Sequence, residues 1–404
     1  MKLIVSCFSC SPTRGSEPGM GWGYLRAIAQ EHDVWALVDG WEFGEELRKY
    51  QAEHPEELRR VHFIFVPCKP HPLLRRIWPP SYYWFYNLWH RRAFKIAQKL
   101  HEEIHFDAAW KLSMVTYREP GYLWKLPIPF IWGPVGALGY TDFRLIPLMG
   151  LSGAEYVVRN LINCIHSHVK FSSRKAARKA AATKTLIAAT AENQVAMEKL
   201  WGVDSTILSE IGIEEVRGFC EPRKEARPLR IAWSGQFTAG KALNVLIRAV
   251  AKLKECEVRV DVLGEGRKKV AWQNLAKRLG VEASFTWHGW LERKEAIGII
   301  EKADFFVISS MRDLTSSVLI EALSRGKPVV CIDHCGFSNV VDETCGIKVP
   351  VSWHVIDDFA RAIKRLGDES LRRSFSAGAL RKAQQYLWTV KRAVILGIIA
   401  KAKR

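Results

Sequence analysis

Residues 311 to 330 read MRDLTSSVLIEALSRGKPVV, with two acids, Asp313 and Glu321, on either side of the hydroxyls of Thr315, Ser316 and Ser317. The pattern is that of a helix which Thr315 or Ser316 can cap, which Gly326 stops, and which a strand opened by Pro328 follows. The first amides of a helix have no partner inside it. With the helix dipole they make an anion site, worth up to ~2 kcal/mol from the dipole and about 1.5–3 kcal/mol for each charge-assisted hydrogen bond. Carboxylates would repel a bare phosphate there, but they fit hydroxyl groups on its flanks. A ligand with a diphosphate in the middle, a ribose on one side and a sugar on the other satisfies the whole set, and that is a nucleotide sugar. An ordinary capped helix with two solvated acids has the same sequence.

A cation comes from a second stretch, IAWSGQFTAGKALNVLIRAVAKL at 231–253. A strand runs into Gly235, a short loop carries Lys241, and Leu243, Leu246, Ile247 and Val250 form one face of the helix that follows. Between the two stretches come, in order, a G-x-G loop at Gly264 to Gly266, a helix, an L-G turn, a strand closing on Gly289, and the strand ADFFVISS.

In this order and spacing the chain resembles the retaining glycosyltransferases of family 4, which adopt the GT-B architecture, over nearly all of residues 229 to 350. That family has a stretch close to G-R-L-x-x-x-K-G, then E-x7-E and a glycine-proline turn. Here Gly235, Gln236, Phe237 and Lys241 are followed by Asp313, Glu321, Gly326 and Pro328. The resemblance implies that Lys241 neutralises a diphosphate cradled by the amides of Ser316, Ser317 and Val318. It implies that Glu321 holds ribose hydroxyls, that Asp313 holds hydroxyls of the transferred sugar, and that Gly289, Trp290 and Leu291 border the base. Lys241, Asp313 and Glu321 are then the catalytic set. Taken alone, Lys241 can also be a solvated lysine and Trp290 plain packing. The chain departs from the family in two places. Gln236 replaces an arginine, whose charge Arg312, Arg267 or Arg14 would have to supply, and Asp313 replaces a glutamate.

The elements that position these groups alternate along the whole chain. Short apolar runs such as KLIVSCF, DVWALVD, VHFIFVP, FDAAWKL, IPFIWG and KTLIAAT alternate with helical patterns, among them Pro79 to Glu103 in broken form and Gly153 to Ala182, which predicts α/β architecture with parallel sheets. A second series, LRIAWSG, VRVDVLGEG, ASFTWHGW, ADFFVISS, KPVVCID and GIKVP, repeats the pattern. Two Rossmann-like doubly wound domains facing a cleft are expected, at 1–213 and 228–386. The charged, proline-bearing stretch 214–228 links them, and the last helix, 387–404, returns to the first domain as it does in the family. Ligands of such sheets sit beyond the carboxyl ends of the strands.

In the first half, CSPTRGSEPGMGWGYLRAIA at 10–29 reads as a glycine-rich loop ahead of a helix over Gly21 to Gln30. Arg14, Gly15, Glu17, Gly19 and Gly21 then face the cleft. The loop resembles the one with which family 4 enzymes close the donor pocket, and Glu17 can either contact the acceptor or cap a neighbouring amide. Many family members carry a histidine in the loop that here reads Trp132, Gly133, Pro134, Val135, Gly136. In the mechanism favoured for the family, an oxygen of the leaving diphosphate takes the acceptor proton, so that a base is optional.

Charge and cysteines bound the setting. Lys and Arg number 60 against 42 Asp and Glu, a net +18, which fits an anionic partner. Aromatics interleave with Arg75, Arg76, Arg91, Arg92, Lys95 and Lys99, and residues 170–184 are basic without one acid, which suggests peripheral contact with an anionic membrane. No recognition fold for nucleic acid accompanies them. Nine cysteines without a dense framework predict reduced thiols and a cytoplasmic location. No D-x-D occurs, so no metal and no other cofactor is expected. The reading is a retaining hexosyltransferase acting on a glycan or lipid-linked acceptor. An inactive GT-B-shaped glycan- or partner-binding protein, or a basic membrane or nucleic-acid adaptor, is the alternative.

Overall fold

The computed structural model describes residues 1–67, 81–219, 223, 228–253 and 256–403. The chain forms two units. The first comprises Met1–Gly139, Ile165–Gly212 and Trp388–Arg404, and the second comprises Tyr140–Cys164 and Ile213–Leu387. The segment 140–164, read from the sequence with the N-terminal domain, thus groups with the second unit.

The first unit is built on seven strands: β1 (Lys2–Cys7), β2 (Asp33–Asp39), β3 (Val61–Val66), β4 (Ala108–Ser113), β5 (Phe130–Val135), β6 (Leu186–Ala188) and β7 (Thr206–Ile207). They lie in the order β3-β2-β1-β4-β5-β6-β7, and each recorded pairing is parallel. The register sets Leu3 opposite Val34 on one side and Ala108 on the other. Such strands are covered on both faces, which is why they read as continuous apolar runs. Leu3 and Val5 join one core with the helices Ser16–Ala29, Gly44–Glu53 and Trp388–Ala402. Ile4 points into a second core with the helices Ser81–Ile104, Phe171–Ala182 and Ala191–Trp201.

The second unit has six strands: β8 (Leu229–Ser234), β9 (Val258–Leu263), β10 (Phe285–Gly289), β11 (Phe305–Ile308), β12 (Val329–Ile332) and β13 (Gly346–Val349). Their order is β10-β9-β8-β11-β12-β13, again parallel. Ile231, Trp233, Val260 and Val307 share a core with the helices Leu243–Val250, Lys269–Arg278 and Val355–Arg365. Every strand expected from the sequence is present. The two-residue β7 was missed, being too short to show any periodicity.

Three helix boundaries differ from the sequence reading. The first helix starts at Ser16, so that Gly19 and Gly21 lie inside it; Glu17 and Pro18 are favourable in a first turn. The stretch Gly153 to Ala182, read as one helix, is two, Gly153–Val169 and Phe171–Ala182, because Lys170 leaves helical geometry at φ −76°, ψ 76°. The helix read as broken over Pro79 to Glu103 runs unbroken over Ser81–Ile104, and Arg75 and Arg76 lie outside the described residues.

Candidate active site

In the second unit the residues singled out for the donor stand at the carboxyl ends of β8, β9, β10 and β11. The loop after β8 carries Gly235, Gln236 and Lys241. It is held from beneath, where the Trp233 indole donates to Ser309 Oγ at 3.0 Å and that hydroxyl donates to the Lys241 carbonyl at 3.0 Å. The Met311 amide donates to the Gly240 carbonyl at 2.7 Å, joining this loop to the one that follows β11. The loop after β9 fits against both. Gly264 has φ +132°, and a Cβ there would stand 2.1 Å from the Gly235 carbonyl oxygen, so only glycine can hold this crossing.

Lys241 Nζ is ion-paired to Asp313 Oδ2, and both residues are half-buried. Asp313 is held at its other oxygen, where Oδ1 accepts the Leu314 amide at 3.0 Å. Three residues on, Ser316 is the N-cap of the helix Ser317–Ser324. Its side chain makes no capping hydrogen bond, and its backbone is left-handed at φ 69°, ψ 116°. Gly336 supports this approach, since a Cβ at that position would meet the Leu314 carbonyl oxygen at 2.6 Å. The amides of Ser317 and Val318 open a helix whose first turn carries no acid of its own.

Glu321, one turn into that helix, has a partner that the sequence did not reveal. Arg293 Nε donates to Glu321 Oε1 at 2.8 Å, the arginine 66% exposed and the glutamate 16%. Arg293 opens the helix Arg293–Lys302 behind a reciprocal capping box formed by Glu292 and Glu295. The capping box was the one legible sign of where Arg293 would sit. Of the other named residues, Gln236 and Arg267 are exposed, and Leu291 and Arg312 are half-buried. Trp290 is 79% exposed, so its ring is not part of the core.

In the first unit the named residues are tied down by their own surroundings. Glu17 accepts the Val115 amide, the capping role left open by the sequence. Burial raises the affinity of its carboxyl for a proton, against the pull of that amide and of the Lys111 ammonium. Lys111, buried at the end of β4, donates to the Met114 carbonyl, and burial lowers its pKa to about 8 while Glu17 and Glu119 oppose the fall. Arg14 lies 3.2 Å from Glu42, 3.5 Å from Glu46 and over the Phe43 ring. A Cβ on Gly19 would meet the Arg14 carbonyl, one on Gly21 the Ser9 carbonyl, and one on Gly133 the Ile187 carbonyl, whereas Gly15 faces open space. Among the described residues no group of three or more His, Cys, Asp or Glu converges as a metal site. No described helix is long and apolar enough to cross a membrane.

Residues 221–382 match the family model described as "Glycosyl transferases group 1". The chain is similar to a D-inositol 3-phosphate glycosyltransferase of Corynebacterium aurimucosum, 30% identical over 182 residues, which is 43% of each protein. It is also 30% identical over 154 residues to the N-acetylgalactosamine-N,N'-diacetylbacillosaminyl-diphospho-undecaprenol 4-alpha-N-acetylgalactosaminyltransferase of Campylobacter jejuni, covering 38% of this chain and 41% of that protein. The chain thus spans less than half the length of these curated relatives. Among solved structures, Anabaena HepE in complex with UDP superposes with a TM-score of 0.62 at 14% identity, over 99% of both chains. That likeness shows a shared GT-B fold. The matched residues 221–382 lie within the second unit.

Proposed function

We propose that this chain is a retaining, metal-independent glycosyltransferase that moves a sugar from a nucleoside diphosphate sugar to a hydroxyl of a glycan or lipid-linked acceptor. The observation that carries the reading is the Lys241–Asp313 ion pair set just ahead of the Ser317–Ser324 helix start, at the carboxyl end of a parallel sheet. A pyrophosphate takes Lys241 and the amides of Ser316, Ser317 and Val318, and the hydroxyls of the transferred sugar take Asp313. Donor binding thereby exchanges one ion pair for two sets of ligand contacts, and no carboxylate is left facing the phosphates. On the ribose side the Glu321 carboxylate exchanges its exposed partner Arg293 for two hydroxyls.

In the transfer step the bond from the anomeric carbon to the diphosphate oxygen breaks, and the acceptor oxygen bonds to the same face of that carbon. The acceptor proton passes to an oxygen of the leaving diphosphate. Lys241 and the helix amides stabilise the charge that develops there, the role a metal would otherwise take. The acceptor is assigned to the first unit, whose candidate residues are Arg14, Gly15, Glu17, Gly19, Gly21 and Gly133. A lipid-linked acceptor agrees with the undecaprenol-linked name of the Campylobacter relative and with peripheral contact with an anionic membrane from the cytoplasmic side.

Calorimetric titration with UDP and with GDP, in the presence of a chelator, tests the donor side. Binding of at least one is expected, followed by slow hydrolysis of a matching nucleotide sugar in a screen. Binding of neither, with no sugar hydrolysed, rules the reading out, and binding without hydrolysis of any sugar leaves an inactive glycan-binding relative.

A further inference from the structure

The helix Gly153–Val169 is built with its polar face inward. Positions 156, 160, 163 and 167 fall on one side of a helix, and this is the side turned to the protein although it carries Tyr156, Asn160, Asn163 and Ser167. Asn160 is locked there by a reciprocal pair with Thr141: its Nδ2 donates to the Thr141 carbonyl at 2.8 Å, and its Oδ1 accepts the Thr141 amide at 3.0 Å. The outward side carries Val157, Val158, Leu161 and Ile162 and continues through Ile165 and Val169. Leu161 is 60% exposed, and Leu151, just ahead of the helix, is 99% exposed. None of these aliphatics belongs to the three hydrophobic cores.

A helix that serves only its own fold buries its apolar stripe and exposes its polar one. Here the stripe is spent on solvent, and a contiguous exposed apolar patch of this kind marks a binding surface. Charge selects the occupant. The one acid of this helix, Glu155, is neutralised by Arg159 at 2.6 Å. The sequence that follows, 170–184, holds Lys170, Arg174, Lys175, Arg178 and Lys184 without an acid, besides Lys179, which is spent on the Trp124 and Leu126 carbonyls, in a chain of net +18. A second copy would bring like charge against like charge. A bilayer with acidic headgroups offers hydrocarbon to the stripe and negative charge to the basic stretch that follows it in the chain. Seventeen residues make a helix about 25 Å long at about 1.5 Å per residue, suited to lying along an interface.

We propose that the helix Gly153–Val169 docks on the surface of an acidic lipid bilayer, with Val157, Val158, Leu161 and Ile162 sunk below the headgroups. The inference rests on the transferase reading only for its purpose, which is to bring the chain to a lipid-linked acceptor.

Sedimentation of the full chain with phosphatidylcholine vesicles, with and without phosphatidylglycerol, tests it. The wild type should pellet with the acidic vesicles, and less so with neutral ones or at high salt. Val158→Asp with Leu161→Asp should lower partitioning about tenfold or more, whereas Leu161→Phe should keep it. Equal pelleting of wild type and double variant, or no pelleting of the wild type, overturns the proposal. So does a vesicle-free dimer that Leu161→Asp dissolves, which would give the face to a second copy. UDP titration is the separate arm. A double variant that still binds UDP but no longer pellets supports docking on a folded protein, and a wild type that pellets without binding any nucleotide removes the transferase reading while this one stands.

Discussion

Lys241 and Asp313 in the second unit and Glu17 and Lys111 in the first are held in opposite ways. At the strand ends of the second unit, Lys241 pairs with Asp313 and Arg293 with Glu321, side chain to side chain, at positions that water reaches. In the first unit, Glu17 grips the Val115 amide and Lys111 the Met114 carbonyl, so the buried charges are fastened to backbone. A pair of side chains can be exchanged for a ligand with little cost to the fold, whereas a charge fastened to backbone is part of the fold. The contrast teaches that a cluster of charge at a sheet's carboxyl end can serve the binding proposed above only where its partners can be released.

The comparison can be broken most severely at Gly264. With φ +132° and the Gly235 carbonyl 2.1 Å from any added Cβ, Gly264→Ala should cost the second unit roughly 3 kcal/mol of stability. It should also abolish nucleotide binding, and urea unfolding with calorimetry would read both. Glu17→Ala should come next. It leaves the Val115 amide and the buried Lys111 ammonium without their carboxylate, at about 2–3 kcal/mol of stability, yet the UDP affinity of the folded variant should not change. Lys241→Ala should do the reverse, weakening UDP by about 2 kcal/mol, or ~30-fold, while the unfolding midpoint barely moves. If these two variants each shift both readouts together, the distinction between the units is lost.

The smallest effect sharpens the contrast through pH. Lys391 is buried in the first unit, where it donates to the Ser209 and Ile211 carbonyls, and burial lowers its pKa from 10.5 to about 7. Between those values the unfolded chain holds the proton and the folded one has released it, so stability should rise with pH from about 7 upward and stay flat below. Lys391→Met should flatten that rise in a series of thermal midpoints, and an unchanged slope would assign it to Lys111 alone.

Much of this was legible in the chain itself. Apolar runs such as DVWALVD and KPVVCID marked their strands because a parallel strand is covered on both faces and needs no polar alternation. Lys241 and Asp313, 72 residues apart, could be named as partners in one site. Arg293 could not, because a surface arginine at a helix start leaves no periodic trace. The inverted helix Gly153–Val169 has an amphipathic pattern that is the same whichever face turns inward, so the sequence shows that a stripe exists and not where it points.

The order of residues determined two parallel sheets, the loops that follow their strands, and which of those loops carry ammonium, carboxylate and hydroxyl groups, because backbone propensity and burial act over a few residues at a time. Tertiary structure alone decided that Glu17 is bound to backbone, that Asp313 and Glu321 are paired to releasable cations, and that aliphatic side chains face outward beside Asn160. Such pairings depend on distances between segments far apart in the chain, and no local pattern encodes a distance.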